Sequence, residues 1–440
     1  MIFNRLKYLM ALLPVAGLLS SGQVKSETLT ADSLTLNTII SEVVQNHPLV
    51  KKAMESLNTS DAKIGIAQAN NLPEIDFSTS YSRIGPISEL TIPNMGTFAF
   101  MPKDNYSTGV NVNQTISDFG KTGKSISLEK QGKELNRQSL EQVKQRLSEA
   151  AINNYFSLVY LQEAIKIKDE QLTTLNEHLR FVQKKQATGS ATQYEILTTQ
   201  VRISAIENQK TDLETSRLVQ VSHLNSLLGK PEQQAQRVKN DLNFTLPLLQ
   251  SDTLISSAMQ NRDEMKLAQQ KAKLAALRYS LTISQNNPVV NAFVSGGIHN
   301  GYIPYMYDPK ANFVAGIGIK VPIFDGKRNK YRLVEAQSSI FTNDQETEIS
   351  HRTIIDEVIE GETSLKASRK KVDQSALQLQ QASQAYDLAK ARFDAGVITN
   401  LELLDGSTAV SESRLMLLKS RIDYTVNVFK LRSAIGERLY

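Results

Sequence analysis

In the segment IDFSTSYSR (75–83), Ile75, Phe77, Thr79 and Tyr81 alternate with Asp76, Ser78, Ser80 and Ser82. YSTGVNVNQTI (106–116) repeats the rhythm, with Tyr106, Thr108, Val110 and Val112 set against Ser107, Gly109, Asn111 and Asn113. A period of two gives a strand one apolar and one polar face. FVAGIGIKV (313–321) follows the same pattern and VVNAFVSGG (289–297) follows it less regularly, so four strands are expected. Tyr81, Phe98, Phe100, Tyr106, Tyr302, Tyr305, Tyr307 and Phe313 gather at the far ends of these segments and in their connections. That distribution suits the aromatic girdle of a membrane barrel. Alternation alone also allows an ordinary hairpin with its apolar face on a core.

The period then changes. No proline occurs from Gly120 to Gln186, and Leu140, Leu147, Leu161, Leu175 and Val182 share one seven-residue register. Ala151, Leu158, Ile165, Leu172 and Leu179 occupy the interleaved one. This is a heptad seam, interrupted by Asn154 and Lys168, polar residues of the kind that fix register at a cost in stability. A helix over 120–186 rises to about 100 Å, well beyond the radius of one globular core. Gly189 and Gly396 suit the left-handed residue that ends a helix. Returning helices are expected over 191–228 and 398–435, and a second long helix over 327–393. Two antiparallel coiled-coil hairpins result.

The chain is a tandem repeat, which organises everything else. ISEVVQNHPLVKKA (40–53) aligns with ISSAMQNRDEMKLA (255–268) at an offset of 215, and Pro73 and Pro288 keep that offset. Residues 184–229 align without gaps on 391–436 at an offset of 207, matching at Gly189/Gly396, Thr192/Thr399, Glu195/Glu402 and Leu197/Leu404 among others. The first copy, 27–240, therefore carries the longer insertion, placed between Pro73 and Asp118; the second copy covers 241–440. Insertions belong in loops. ISDFGKTGKSIS (116–127) ends in Gly-Lys-Ser, but Asp118 stands where a phosphate-binding loop needs its first glycine. The stretch reads instead as a strand-to-helix junction, echoed by IFDGKRNKY (323–331), with Asp118 as helix cap and Asp325 its counterpart. Lys121, Lys124, Lys327, Arg328 and Lys330 then lie at the inner rim, meeting headgroups or water.

Composition narrows the function. Arg5 and Lys7 precede an apolar run from Tyr8 to Leu19 and then small residues, the layout of a secretory signal peptide over residues 1–26. The run is too short for a spanning helix. Without Arg5, Lys7 and Lys25 the chain holds 47 basic and 45 acidic residues, a balance that gives no support to a nucleic-acid partner. Cysteine is absent and the five histidines are scattered, so no metal site, cofactor site or catalytic constellation is expected and the chain reads as a non-enzyme. A sheet in lipid must close, because free N–H and C=O groups there lack partners. Four strands cannot close, and multiplication to eight, twelve or sixteen leaves the number of copies open.

FDAGVITNLELLD (393–405) and its echo QATGSATQYEILT (186–198), within a tandem repeat of β-hairpin and long helical hairpin, resemble the TolC-type outer-membrane efflux channel family. The resemblance covers nearly the whole mature chain. It implies an α+β membrane protein working as a homotrimer: a twelve-stranded barrel in outer-membrane lipid, continued by an α-helical tunnel across the periplasm. It also implies a periplasmic adaptor protein at the tips, around Gly189 and Gly396, and an inner-membrane pump that drives efflux or type I secretion. The family's acidic aperture residues map onto Glu402 and Asp405, with Glu195 in the equivalent place of the first copy. Where some members carry a tyrosine and an arginine that lock the tip, this chain has Phe393 and Ile398. The competing reading is a periplasmic coiled-coil adaptor or scaffold, which would lack the four girdled strands.

Overall fold

The computed structural model describes residues 33–244 and 250–440, so the expected signal peptide, residues 1–26, lies outside the described residues. The first half contains α1 (Leu36–Asn46), α2 (Pro48–Ala69), β1 (Glu74–Arg83), β2 (Glu89–Ile92), β3 (Gly96–Ala99), β4 (Asp104–Ser117), α3 (Lys121–Ala187) and α4 (Gln193–Leu228). The second contains α5 (Ser251–Asn261), α6 (Asp263–Ser284), β5 (Val289–His299), β6 (Lys310–Lys320), α7 (Arg328–Asp394) and α8 (Asn400–Ala434).

Two features lie beyond what the patterns declare. The leading helix of each half is broken in two. His47 precedes Pro48 and is extended, with ψ 135°, because a proline ring disfavours helical geometry in the residue before it. Arg262 takes the matching conformation, ψ 134°, without a proline. Second, the insertion of the first half forms its own small hairpin, β2 on β3, with Leu90 opposite Phe98.

β1, β4, β5 and β6 form one antiparallel sheet in that order. Ile75, Val112, Val294 and Ala315 lie in one row across it, and Phe77, Val110, Gly296 and Phe313 in the next row of the same face. The opposite face carries rows such as Ser78, Gly109, Gly297 and Asn312. The backbones of β4 and β5 approach so closely there that a Cβ on Gly297 would lie 2.3 Å from the Thr108 carbonyl oxygen. Among the described residues nothing covers the apolar face, and Phe313 is 83% exposed.

The helices stand side by side, α2–α3–α6–α7 near the sheet and α4–α3–α8–α7 beyond it. α8 meets α6 end to end: a Cβ on Gly436 would lie 2.6 Å from Asn261 Cβ, and the Arg262 guanidinium donates to the Ala434 carbonyl at 3.4 Å. Around these joints sit two apolar clusters. One joins Ile39 and Val43 of α1 to Leu147, Phe156 and Leu224, the other joins Leu254 and Ala258 of α5 to Ile354, Val358 and Val428. Stacking of α8 on α6 leaves α2 and α4 together as one outer flank, with α7 as the other. β1 follows α2 and β6 precedes α7, so the free sheet edges and the free helical flanks coincide. Among the described residues no helix is long and apolar enough to cross a membrane.

Candidate functional site at the helical tips

At the end remote from the sheet, α3 turns into α4 and α7 into α8 through the same geometry. Gly189 has φ 77° and Gly396 φ 73°. The Gly189 N–H donates to the Gln186 carbonyl at 3.0 Å and the Ser190 N–H to Lys185 at 2.8 Å; Gly396 and Val397 do the same to Phe393 and Arg392 at 3.0 and 2.9 Å. These closures satisfy the last helical carbonyls, and left-handed backbone favours glycine.

Each returning helix opens with a Thr-x-x-Glu box. The Glu195 N–H donates to Thr192 Oγ1 at 3.3 Å while the Glu195 carboxylate accepts from the Thr192 N–H at 3.1 Å. Glu402 repeats this with Thr399, accepting from its N–H at 2.7 Å and its hydroxyl at 2.9 Å. The Thr399 N–H and then its hydroxyl hold the Glu402 carboxyl below the usual carboxylate range. Both glutamates are therefore engaged with their own helix starts. Asp405, one turn on, accepts from Arg202 of α4 at 2.7 Å.

The two hairpins are joined at their tips. Phe393 is buried, its ring 5.3 Å from His178 and 6.3 Å from Phe181, and the Lys185 ammonium lies 5.0 Å from its centroid. A cation over an aromatic face is attracted by the ring quadrupole. His178 Nε2 lies 2.6 Å from Asn400 Oδ1, and the Asn400 amide donates to Thr199 Oγ1 at 3.2 Å and the Glu195 carbonyl at 3.3 Å. Asn400 is only 3% exposed, so these partners satisfy a buried polar group. Higher in the seam, Gln171 Oε1 accepts from Ser411 at 2.7 Å and from Lys168 at 3.3 Å. Burial pushes the Lys168 ammonium below its ordinary range, against the opposing pull of Glu412.

The tip thus brings Phe393, Glu195, Glu402 and Asp405 to one end, with Gly189 and Gly396 at its extremity. His178, Asn400, Lys185 and Arg202 were not singled out in the sequence. Arg202 and Asp405 stand far apart in the chain and share no motif, whereas the Thr-x-x-Glu spacing of the two boxes was readable.

Asp118 and Asp325 sit at the opposite ends of the long helices. Asp118 is not the N-cap residue, which is Gly120 at φ 88°. It caps from two residues earlier, accepting from the Thr122 N–H at 2.6 Å and the Gly120 N–H at 3.1 Å. Burial opposes its charge, but the Thr122 side chain together with these amides outweighs it and keeps the carboxyl below its ordinary value. Asp325 likewise accepts from the Asn329 N–H at 2.7 Å, with Lys327 as N-cap at φ 66°. Lys124 does not reach toward lipid: its ammonium donates to the Ser280 carbonyl at 3.2 Å and binds α6.

This architecture is shared with solved channels. The chain is similar to the crystal structure of CusC, at TM-score 0.77 and 19% identity over 92% of this chain and 93% of that one. It is similar to the Campylobacter jejuni CmeC outer membrane channel, at TM-score 0.76 and 17% identity over 97% and 94%. In sequence it is 23% identical over 420 residues to the cation efflux system protein CusC of Escherichia coli K12, covering 91% of this chain and 86% of the relative. It is 20% identical to the outer membrane protein TolC of Vibrio cholerae, covering 90% of each. The family model for the outer membrane efflux protein matches residues 39–230 and 254–437, one stretch in each half. With both hairpins, both tips and the four-stranded sheet inside that match, the chain belongs to the outer membrane efflux protein family.

Proposed function

We propose that three copies close edge to edge into a twelve-stranded barrel and a helical tunnel, forming the outer-membrane exit duct of a tripartite efflux system. The observation that carries this is the coincidence of free edges: β1 with α2 and α4 on one side, β6 with α7 on the other. One rotation that pairs β1 with the next copy's β6 also brings α7 against the next copy's α2 and α4. Exposed apolar residues on those flanks, among them Ile66, Val201, Phe341 and Ile349, support such packing. The exposed face containing Phe77, Phe313, Ile317 and Ile319 suits lipid, and the face of Ser78, Asn111 and Asn312 suits a water-filled lumen.

The tips are where a periplasmic adaptor docks, and an inner-membrane pump supplies the energy. Glu402 and Asp405 from three copies form an acidic ring at the inner mouth, and rings of carboxylates select cations. A periplasmic adaptor or scaffold, the other sequence-level reading, gives no account of the amphipathic four-stranded sheet. The test is the assembly of the protein extracted from outer membrane. A trimer that survives SDS and conducts ions in planar bilayers is expected, while a soluble monomer after carbonate washing would end this reading.

A further inference from the structure

Residues 84–103 connect β1 to β4 and carry the β2–β3 hairpin; residues 300–309 form the shorter connection from β5 to β6. A tilted transmembrane strand needs about 9–11 residues, and β1, β4, β5 and β6 have 10, 14, 11 and 11. The sheet alone spans the hydrocarbon layer, so the hairpin stands beyond it, on the aqueous side. There its composition is unusual. Leu90 and Phe98 share one face, while the opposite face carries the Thr91 and Thr97 hydroxyls 2.9 Å apart. Leu90, Phe98 and Phe100 are exposed, as are Ile303, Tyr305 and Tyr307 of the shorter connection. Contiguous apolar surface in water is costly unless something covers it.

We propose that the apolar face of this hairpin docks on the 303–307 segment of the neighbouring copy, so that three hairpins interlock the outer rim of the trimer. The inference rests on the edge-to-edge closure proposed above. β1 runs from the helices toward the outer rim and β6 runs back, so a β1 edge beside a neighbour's β6 brings the chain leaving Arg83 next to the chain entering that copy's Lys310. The hairpin and the neighbour's connection then continue the same interface past the barrel end. Among the described residues of one copy the two connections meet at their bases. Asn300 donates to the Asp104 carbonyl at 2.7 Å and accepts from the Tyr106 N–H at 2.8 Å, which leaves Leu90, Phe98, Tyr305 and Tyr307 uncovered. The occupant is therefore a second copy of this chain.

The sequence contains no cysteine, so introduced cysteines report without background. Two differently tagged single-cysteine chains, Leu90→Cys and Tyr305→Cys, are co-expressed and oxidised in outer membranes. Only copy-to-copy contact can join them, and a disulfide requires Cα atoms about 4.4–6.8 Å apart. The expected result is a disulfide-linked species carrying both tags, and likewise for Phe98→Cys with Tyr307→Cys. Ser78→Cys paired in turn with Asn312→Cys, Val314→Cys and Gly318→Cys tests the β1–β6 closure itself across three registers. A link in a closure pair with none from either hairpin pair overturns the docking. So does a Leu90→Cys chain that links mainly to itself, which would place the hairpins against one another over the mouth. Quenching of a dye on Leu90→Cys by a lipid-borne quencher, without cross-linking, overturns it in favour of lipid. If no closure pair links, the channel reading falls and the docking with it.

Discussion

The Arg202 guanidinium on α4 lies 2.7 Å from the Asp405 carboxylate on α8, so one of the two expected gate carboxylates already has a counter-charge from the other hairpin. Arg202 is half-buried and Asp405 exposed, and such a pair contributes about 0–1 kcal/mol. In the proposed tunnel its effect falls on charge in the lumen more than on stability. Glu402→Ala with Asp405→Ala should weaken cation selectivity and abolish block by multivalent cations applied from the periplasmic side. Arg202→Ala, which unmasks Asp405, should strengthen that block. Single-channel recording reads both, and identical block in all three proteins would assign the carboxylates to a solvated helix face.

Gly189 and Gly396 have open space around the position of a Cβ, so a side chain there meets no atom and acts only through its left-handed backbone and on whatever docks at the tip. The backbone cost is about 1–2 kcal/mol, small beside a trimer interface. Gly189→Asp and Gly396→Asp should each cut export by an order of magnitude or more while leaving the amount of SDS-resistant trimer unchanged. Normal export by both would remove these turns from the adaptor contact.

The glycines of the sheet behave in the opposite way. Gly297→Ala drives a methyl group into the Thr108 carbonyl, whereas Gly318 has nothing within 4 Å. Gly297→Ala should reduce assembled trimer several-fold, and Gly318→Ala should leave it at the parent level, on gels of unheated outer membrane. Equal assembly would show that β4 and β5 separate without cost.

Lys168 has a folded-state pKa below its ordinary value of 10.5. Between the lowered value and 10.5 the unfolded chain binds more protons, so stability rises with pH across that window and is flat below it. Lys168→Met removes the buried ammonium and should raise stability by on the order of 1 kcal/mol at neutral pH, abolishing the alkaline rise. Thermal unfolding from pH 7 to 10.5 checks this. A parent protein that loses stability across the same window would contradict the assigned burial penalty.

Much of the fold is legible because its two periodicities are long and unambiguous. The alternation from Ile75 to Tyr81 and the heptads through Leu140, Leu147 and Leu175 each describe one face of one element. What escaped detection is short or non-local. β2 and β3 have four residues each, too few for alternation to declare itself. The break at His47 had Pro48 as a signal, while the one at Arg262 had no local one and lies in end-to-end contact with Gly436. At the tip, Glu195 and Glu402 were legible as aligned carboxylates, but their spacing to Thr192 and Thr399 equally encodes a helix cap. The partners of Asp405 and Phe393 come from the other hairpin, where no local pattern points to them.

The joint between α8 and α6 divides the wall into two mechanical kinds of rod. α3 and α7 are unbroken over 67 residues each, stiff staves running from the sheet to the turns. The path beside α3 is hinged where Gly436 abuts Asn261 and Arg262 takes up an extended backbone. The hinge faces Glu149, which accepts from the Ser433 hydroxyl, roughly 60 Å along α3 from Gly189. A twist applied at the turns would be carried along the staves as along a lever arm, and the extended backbone at Arg262 is where the neighbouring path would yield, far from the surface that received the push.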